Sequence, residues 1–394
     1  MIRWFFLTAA ILTSQPVLAA DSVPTPASEG WIQLFDGETL FGWTSSDPGI
    51  QWKVVEGAIT AGSGKQPAGL LLTDVPFADY ELVCEFRMSA GGNSGVFLRT
   101  LEQPKEVTAD CYEVNIVDEH PAGYLTGSIV GRAKTETPIK GSDEKGTWRT
   151  FQITAEKNHF VVKLDGQQVV DHTDTTQGQR ATGRVGLQQR EGKIEFRRVA
   201  LRPLGTKPLF NGKDLTGWHP VPGTKAKFTV EDGTIHLSGG LGFLESDTNY
   251  SDFVLQVDAR TGAVDVNSGV FFRAMPGTEK EPSNGYELQI NHAVIDGDRT
   301  KPKDQGTGAI FRRAAARKVV GSDKEWCTVT LVTAGPRFAT WVNGYPTVDW
   351  EDDRKPDPNP RKGKRVDAGH FSLQGHDATT DVYFRRIVVA PTAP

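Results

Sequence analysis

The chain has 394 residues, 38% hydrophobic and 24% charged, with a formal net charge of −5. This is the make-up of a globular protein long enough for two or three domains. It lacks the basic excess that would hold a phosphate backbone, so nucleic acid is excluded as an expected partner. Its 42 glycines and 23 prolines punctuate many short segments and favour strands joined by turns over helices.

Residues 1–20 read as an export leader. Arg3 supplies a positive start, Trp4 to Leu12 an apolar stretch, and Val17-Leu18-Ala19-Ala20 a small-residue cleavage region. The stretch is too short to span a bilayer, and no later segment approaches about 20 apolar residues. The expected location is periplasmic or extracellular, with no membrane span. Residues 21–29, rich in Pro, Ser and Ala, read as a flexible lead-in.

Residues 30–203 and 207–391 then repeat one another across a linker at 204–206. Phe35-Asp36-Gly37 with Gly42-Trp43 returns as Phe210-Asn211-Gly212 with Gly217-Trp218. Asn93-Ser94-Gly95-Val96-Phe97-Leu98-Arg99 returns as Asn267-Ser268-Gly269-Val270-Phe271-Phe272-Arg273, and Tyr112-Glu113 as Tyr286-Glu287. Trp148 matches Trp326, and Glu195-Phe196-Arg197-Arg198 matches Tyr383-Phe384-Arg385-Arg386. So long a period marks a duplicated domain, each copy folding around its own core. The short linker leads us to expect the copies to pack on each other.

Within each copy the apolar residues alternate as in strands: Tyr80, Leu82, Cys84 and Phe86 share a face, as do Phe253, Leu255, Val257 and Ala259. Asp165-Gly166 and Asn343-Gly344 are hairpin turns. No segment carries an amphipathic helix of three or more turns. The fold class is all-β, two sheets face to face in each copy. The three cysteines read as free structural thiols, and their spacing supports no zinc site. Glu351 to Arg365, the longest irregular stretch of copy two, reads as a solvated charged loop.

Parity along the strands separates core from outer positions. Ser94, Val96 and Leu98 suit the core, which leaves Asn93, Gly95, Phe97 and Arg99 on the outer face; Asn267, Gly269, Phe271 and Arg273 repeat them. Glu113 and Asn115, or Glu287 and Gln289, join that face, with Gln188 and Arg190, or Gln374 and His376, from a later strand. An aromatic ring among amides, a carboxylate and an arginine suits a sugar, stacked on Phe and held through its hydroxyls. The alternative is a pair of cross-strand ion pairs, Arg99–Glu113 and Arg273–Glu287, on a solvated face. Gly95 and Gly269 weaken a strand unless something approaches closely, which favours a ligand.

The ordered motifs Leu-Phe-Asp-Gly…Gly-Trp, Asn-Ser-Gly-Val-Phe-x-Arg, Tyr-Glu-Val/Leu-Asn/Gln-Ile, Thr-Gly and Leu-Gln-x-His resemble the 3-keto-disaccharide hydrolase family (DUF1080), also called 3-keto-glucoside lyase/hydratase, across both copies. The resemblance implies tandem concanavalin A-like jelly-roll β-sandwiches. It also implies cleavage of 3-keto-glycosides by proton abstraction at C2, elimination at C1 and hydration. On that chemistry Glu113 or Glu287 would be the base, Arg99 or Arg273 the enolate-stabilising cation, and His376 an alternative base or the acid for the leaving group. Asn93, Phe97, Asn115, Gln188, Asn267, Phe271, Gln289 and Gln374 would bind the sugar.

Each copy departs from the family pattern once. Copy one has Arg190 in place of the histidine; copy two has Asn291-His292 where Asp118 stands. His376, titrating near neutrality, inclines the assignment of catalysis to copy two. No cofactor is expected, although Asp110, Asp118 and Glu119 are hard donors available to a calcium ion. The competing classes are a non-catalytic glycan-binding protein and an envelope scaffold.

Overall fold

A computed structural model describes residues 29–62, 67–143 and 146–392. The leader expected at 1–20, and all but the last residue of the lead-in, lie outside them. The chain is all-β, in two tandem jelly-roll sandwiches.

In copy one the larger sheet runs in the order Gln167–Thr173, His159–Leu164, Arg149–Glu156, Tyr80–Met88, Ile194–Pro203, Ala58–Ala61, Lys53–Val55, with Ile32–Gln33 paired to Ile194–Pro203. The smaller runs Trp43–Ser45, Gly69–Thr73, Arg184–Gln189, Asn93–Thr100, Tyr112–Val117. Copy two repeats both orders. Its smaller sheet is Trp218–Pro220, Gly242–Tyr250, Gly369–Gly375, Ser268–Ala274, Tyr286–Ile290. All the pairings named are antiparallel.

Period-two alternation explains the layering. Tyr80, Leu82, Cys84 and Phe86 of the larger sheet meet Val96, Leu98, Tyr112, Val114, Ile116, Val185 and Leu187 of the smaller in one buried cluster. Each such aliphatic or aromatic side chain contributes about 1.5–3 kcal/mol when removed from water. Copy two builds the same core from Leu255, Val257, Val270, Phe272, Tyr286, Leu288 and Leu373. The hairpin turns have positive φ at both central residues, 50° and 81° at Asp165-Gly166 and 49° and 78° at Asn343-Gly344, as the strand twist requires. All three cysteines are buried and free. With the cores filled from both sheets, the outer face of each smaller sheet carries the residues that parity singles out.

Candidate functional site

Directly opposed residues on neighbouring strands project to the same side, so the register lays out this outer face in rows. In copy one, one row reads Thr44, Leu72, Gly186, Phe97, Glu113, and the next reads Leu70, Gln188, Gly95, Asn115. In copy two the rows are His219, Glu245, Ser372, Phe271, Glu287, then Phe243, Gln374, Gly269, Gln289.

The glutamate of the first row leans over the glycine of the second. A Cβ placed on Gly95 would lie 3.1 Å from Cγ and Oε1 of Glu113; one on Gly269 would lie 3.0 Å from Cγ of Glu287. The two glycines therefore make room for the carboxyl groups themselves, which corrects the expectation that a ligand demands them. Each carboxyl is thereby brought toward two amides, those of Asn115 and Gln188 or of Gln289 and Gln374. Burial pushes Glu113 up to about 7, against the opposing charge of Arg190. Burial also raises Glu287, with Arg361 pulling the other way.

The amides are the second sign of a site. Asn115 Oδ1 and Gln188 Oε1 in copy one, and Gln289 Oε1, Gln374 Oε1 and Ser372 Oγ in copy two, are buried without a hydrogen-bond partner. Each such atom costs about 1–3 kcal/mol unless something donates to it. Asn115 Nδ2 is fixed on Tyr124 O at 2.6 Å, and Gln289 Nε2 on Asp304 Oδ2 at 2.9 Å. Their oxygens are left as acceptors for hydroxyl groups. An open cavity of about 620 Å³ lies one step further along the sheet, where Asn93 opposes Val117 and Glu191, and is lined by these residues with Asp118 and Glu119 rather than by Glu113, Asn115 or Gln188.

Two expected components are not on this face. Arg99 and Arg273 are completely buried, and neither pairs with its glutamate. Arg99 donates to Ala78 O (2.9 Å), Arg180 O (3.0 Å), Lys157 O and Asp79 Oδ1 (2.8 Å). Arg273 donates to Ser251 O (2.7 Å), Gly335 O (2.7 Å), Arg365 O (2.9 Å) and Asp252 Oδ1 (2.7 Å). A β-bulge causes this. Leu98 and Arg99 together oppose Val185, and Phe272 and Arg273 oppose Phe371, with φ of 49° and 45° at the arginines. The extra residue breaks the parity on which the expectation rested. These arginines tie loops together and cannot stabilise an enolate.

The phenylalanines are on the face but offer no stacking surface. Phe97 is 3% exposed and packs with Leu70, Leu72 and Cys111. Phe271 is 1% exposed, edge-on to Phe243, with the Arg361 guanidinium 4.8 Å from its ring centre.

Arg361 comes from the stretch expected to be a solvated loop, and its Nη2 lies 2.7 Å from Glu287 Oε2. Arg354 holds the loop by donating to Asp352, Pro360 O and Gly363 O. Arg313 donates to Arg361 O at 2.8 Å. Asp352 in turn accepts from the Tyr286 phenol at 2.6 Å, as Asp174 accepts from Tyr112 at 2.7 Å in copy one. The growth of the repeat offset across this stretch was the available sign of an insertion with its own role. Glu245 is a further carboxylate on this face of copy two, in the row of Glu287. It is 3% exposed, accepts from Gly277 N at 3.3 Å and lies 3.5 Å from His219 Nε2.

The remaining candidates are dispersed. Asn267 is bound to Asp304 Oδ2 at 2.8 Å, and Asn93 is half-buried at the cavity mouth. His376 is exposed at the end of its strand, 2.8 Å from Asp377, although its charge is felt by Glu287. His292 is buried against Thr307 (3.0 Å) and Cys327, and burial lowers its pKa. Asp118 clamps a turn through Gly141 N (2.7 Å) and both Ser142 donors. That leaves its carboxylate committed rather than open to calcium. Among the described residues no group of three or more His, Cys, Asp or Glu is arranged to hold a metal ion.

The family described as the 3-keto-α-glucoside-1,2-lyase-like domain matches residues 30–202 and again 205–390. A curated relative, the 3-keto-disaccharide hydrolase of Bacteroides thetaiotaomicron, is 32% identical over 140 residues. That match takes in 29% of this chain and about half, 48%, of the relative's length. Among solved structures, a Parabacteroides distasonis protein provisionally titled a glycosyl hydrolase is 17% identical, with a TM-score of 0.40, over 45% of this chain and 96% of that one. A Bacillus subtilis protein of unknown function with a galectin-like fold is 15% identical, with a TM-score of 0.37, over 48% and 95%.

Proposed function

The chain belongs to the 3-keto-α-glucoside-1,2-lyase-like family through both of its copies, and from that premise we propose that it cleaves 3-keto-glycosides, with Glu113 of copy one as the base. The observation that carries this reading is the carboxyl of Glu113. It is buried, without a side-chain partner among the described residues, tuned to about 7, and set among the unpartnered oxygens of Asn115 and Gln188. A general base works best when its pKa lies near the operating pH. Glu287, ion-paired to Arg361, is the poorer base, and so the inclination toward copy two given by His376 reverses.

The chemistry follows from the ketone. A carbonyl at C3 acidifies the C2 proton, which Glu113 removes; the electron pair moves onto the C3 oxygen as an enolate. Collapse of the enolate forms the C1–C2 double bond and expels the aglycone oxygen from C1, which gains a proton. Water then adds at C1 and C2 regains a proton, giving net hydrolysis. With Arg99 committed elsewhere, Arg190 is the cation whose charge reaches Glu113, and we assign it to the enolate. The amide oxygens accept from the ring hydroxyls, and the neighbouring cavity lined by Asn93, Val117 and Asp118 receives the rest of the glycoside.

Running the reaction in D₂O tests this route. Elimination and hydration place deuterium at C2 of the released sugar, and a product without C2 deuterium would contradict it. Export of the chain is part of the same proposal and rests on residues 1–20. The two copies are read as docked on each other, supported by hydrogen bonds from Gln33 N to Gly344 O (2.8 Å), Trp341 Nε1 to Gln33 O (2.8 Å) and Arg317 to Asp36 (2.9 Å). Among the described residues no helix is long and apolar enough to cross a membrane.

A further inference from the structure

The face of copy two is built differently from that of copy one, and the difference points to a different task. Arg361 binds only Oε2 of Glu287. Oε1 stays over Gly269, 3.2 Å from where a Cβ would stand, in the row that holds the unpartnered oxygens of Gln374 and Gln289. Ser372 Oγ, also unpartnered, stands in the adjoining row. The loop that delivers Arg361 is fixed through its own carbonyls by Arg354 and Arg313, so the pair is built in. Among the described residues no side chain of copy one forms an ion pair with Glu113, although the charge of Arg190 reaches it.

We propose that copy two is a holding site for a plain, unoxidised glycan, in which Arg361 fixes one oxygen of Glu287 and leaves the other to accept sugar hydroxyls beside Gln374 and Gln289. A ligand that satisfies several acceptors at once must bring several donors in a small space, as adjacent hydroxyls of a pyranose do. No ketone is needed, because nothing in this arrangement has to release and recapture a proton. The proposal rests on the family's carbohydrate reading and leaves copy one to perform the cleavage. Arg361 is then a positioning residue. The other charged groups facing Glu287 are His376 and Asp304, with Arg313 behind Arg361.

Titration calorimetry of the full chain with a plain glucose disaccharide tests this, since that sugar cannot undergo the elimination. The wild type should bind it. Q374A should lose about tenfold or more. R361Q should lose a similar factor at pH 5.5 and recover as pH rises, because Glu287 without its cation stays protonated further up the scale. R361K should restore the wild-type profile, which a merely structural loss would not do. No binding by the wild type, full binding by Q374A, or an R361Q pH profile that matches the wild type's would each overturn the proposal. Failure of cleavage in copy one would leave these titrations unchanged, so the two readings fail separately.

Discussion

Arg99 and Arg273 occur in matching motifs in both copies, and it was this recurrence that suggested a shared site. The structure gives them a shared structural duty instead: a buried guanidinium fills four acceptors at a bulge. Retention in two copies reports the demands of the fold as readily as those of chemistry. Parity still made Glu113, Asn115, Gln188 and their copy-two partners legible, because no bulge intervenes between the paired strands there. Two predictions belong at this scale. Arg99→Ala leaves three carbonyls without this donor and Asp79, which keeps Lys157 N, without its cation; it should cost about 3 kcal/mol or more, measured by denaturant unfolding, with per-molecule chemistry intact in whatever remains folded. The pH profile of kcat/KM should rise through about 7 as Glu113, raised by burial, loses its proton and becomes a base. A profile flat from 6 to 8 would separate Glu113 from the chemistry.

At the scale of elements, the alternating strands, the paired hairpins and the absence of long helices could all be read from residue periodicity. The Glu351 to Arg365 loop could not, because a run of Lys, Arg, Asp and Pro looks the same whether it faces water or crosses a sheet. What decides its place is a set of arginine-to-carbonyl bonds that only the folded neighbours Asp352 and Tyr286 organise. The strand carrying Gly95 yields a sharper test. A methyl group there meets Glu113 within 3.1 Å and the Phe97 ring within 3.3 Å. Gly95→Ala should therefore displace the carboxyl and lower kcat by about 10²-fold, the lower end of what a general base contributes. Stability should change by less than about 2 kcal/mol, since the strand itself gains helpful backbone restriction. Steady-state kinetics beside a thermal melt would separate the two effects, and unchanged kcat would show that Glu113 need not lie over this glycine.

Across the whole molecule the duplication was plain in the sequence, whereas the chemical inequality of the copies was not, because it depends on a loop insertion in one of them. The reading of the copies as docked has its own titratable sign. Asp349 of copy two lies beside Asp74 of copy one, with Arg337 3.1 Å from the former and 3.4 Å from the latter. Thr44 and Arg184 also face Asp74, and Glu351 shares Arg337. Burial, with Asp74 adjacent, lifts Asp349 to about 7. The folded chain therefore binds a proton that the unfolded chain has released by about pH 4–5, and stability falls as pH climbs from there to about 7. Asp349→Asn should flatten that slope in thermal melts taken across the range; an unchanged slope would remove Asp349 as its source.

The most direct measurement incubates the wild type, Glu113→Gln and Glu287→Gln with a 3-keto-disaccharide and follows release of the reducing sugar. We expect release by the wild type, most of that rate in Glu287→Gln, and a loss of about 10²–10⁴-fold in Glu113→Gln. Full activity in Glu113→Gln, or its abolition in Glu287→Gln alone, would contradict the assignment of the chemistry to copy one.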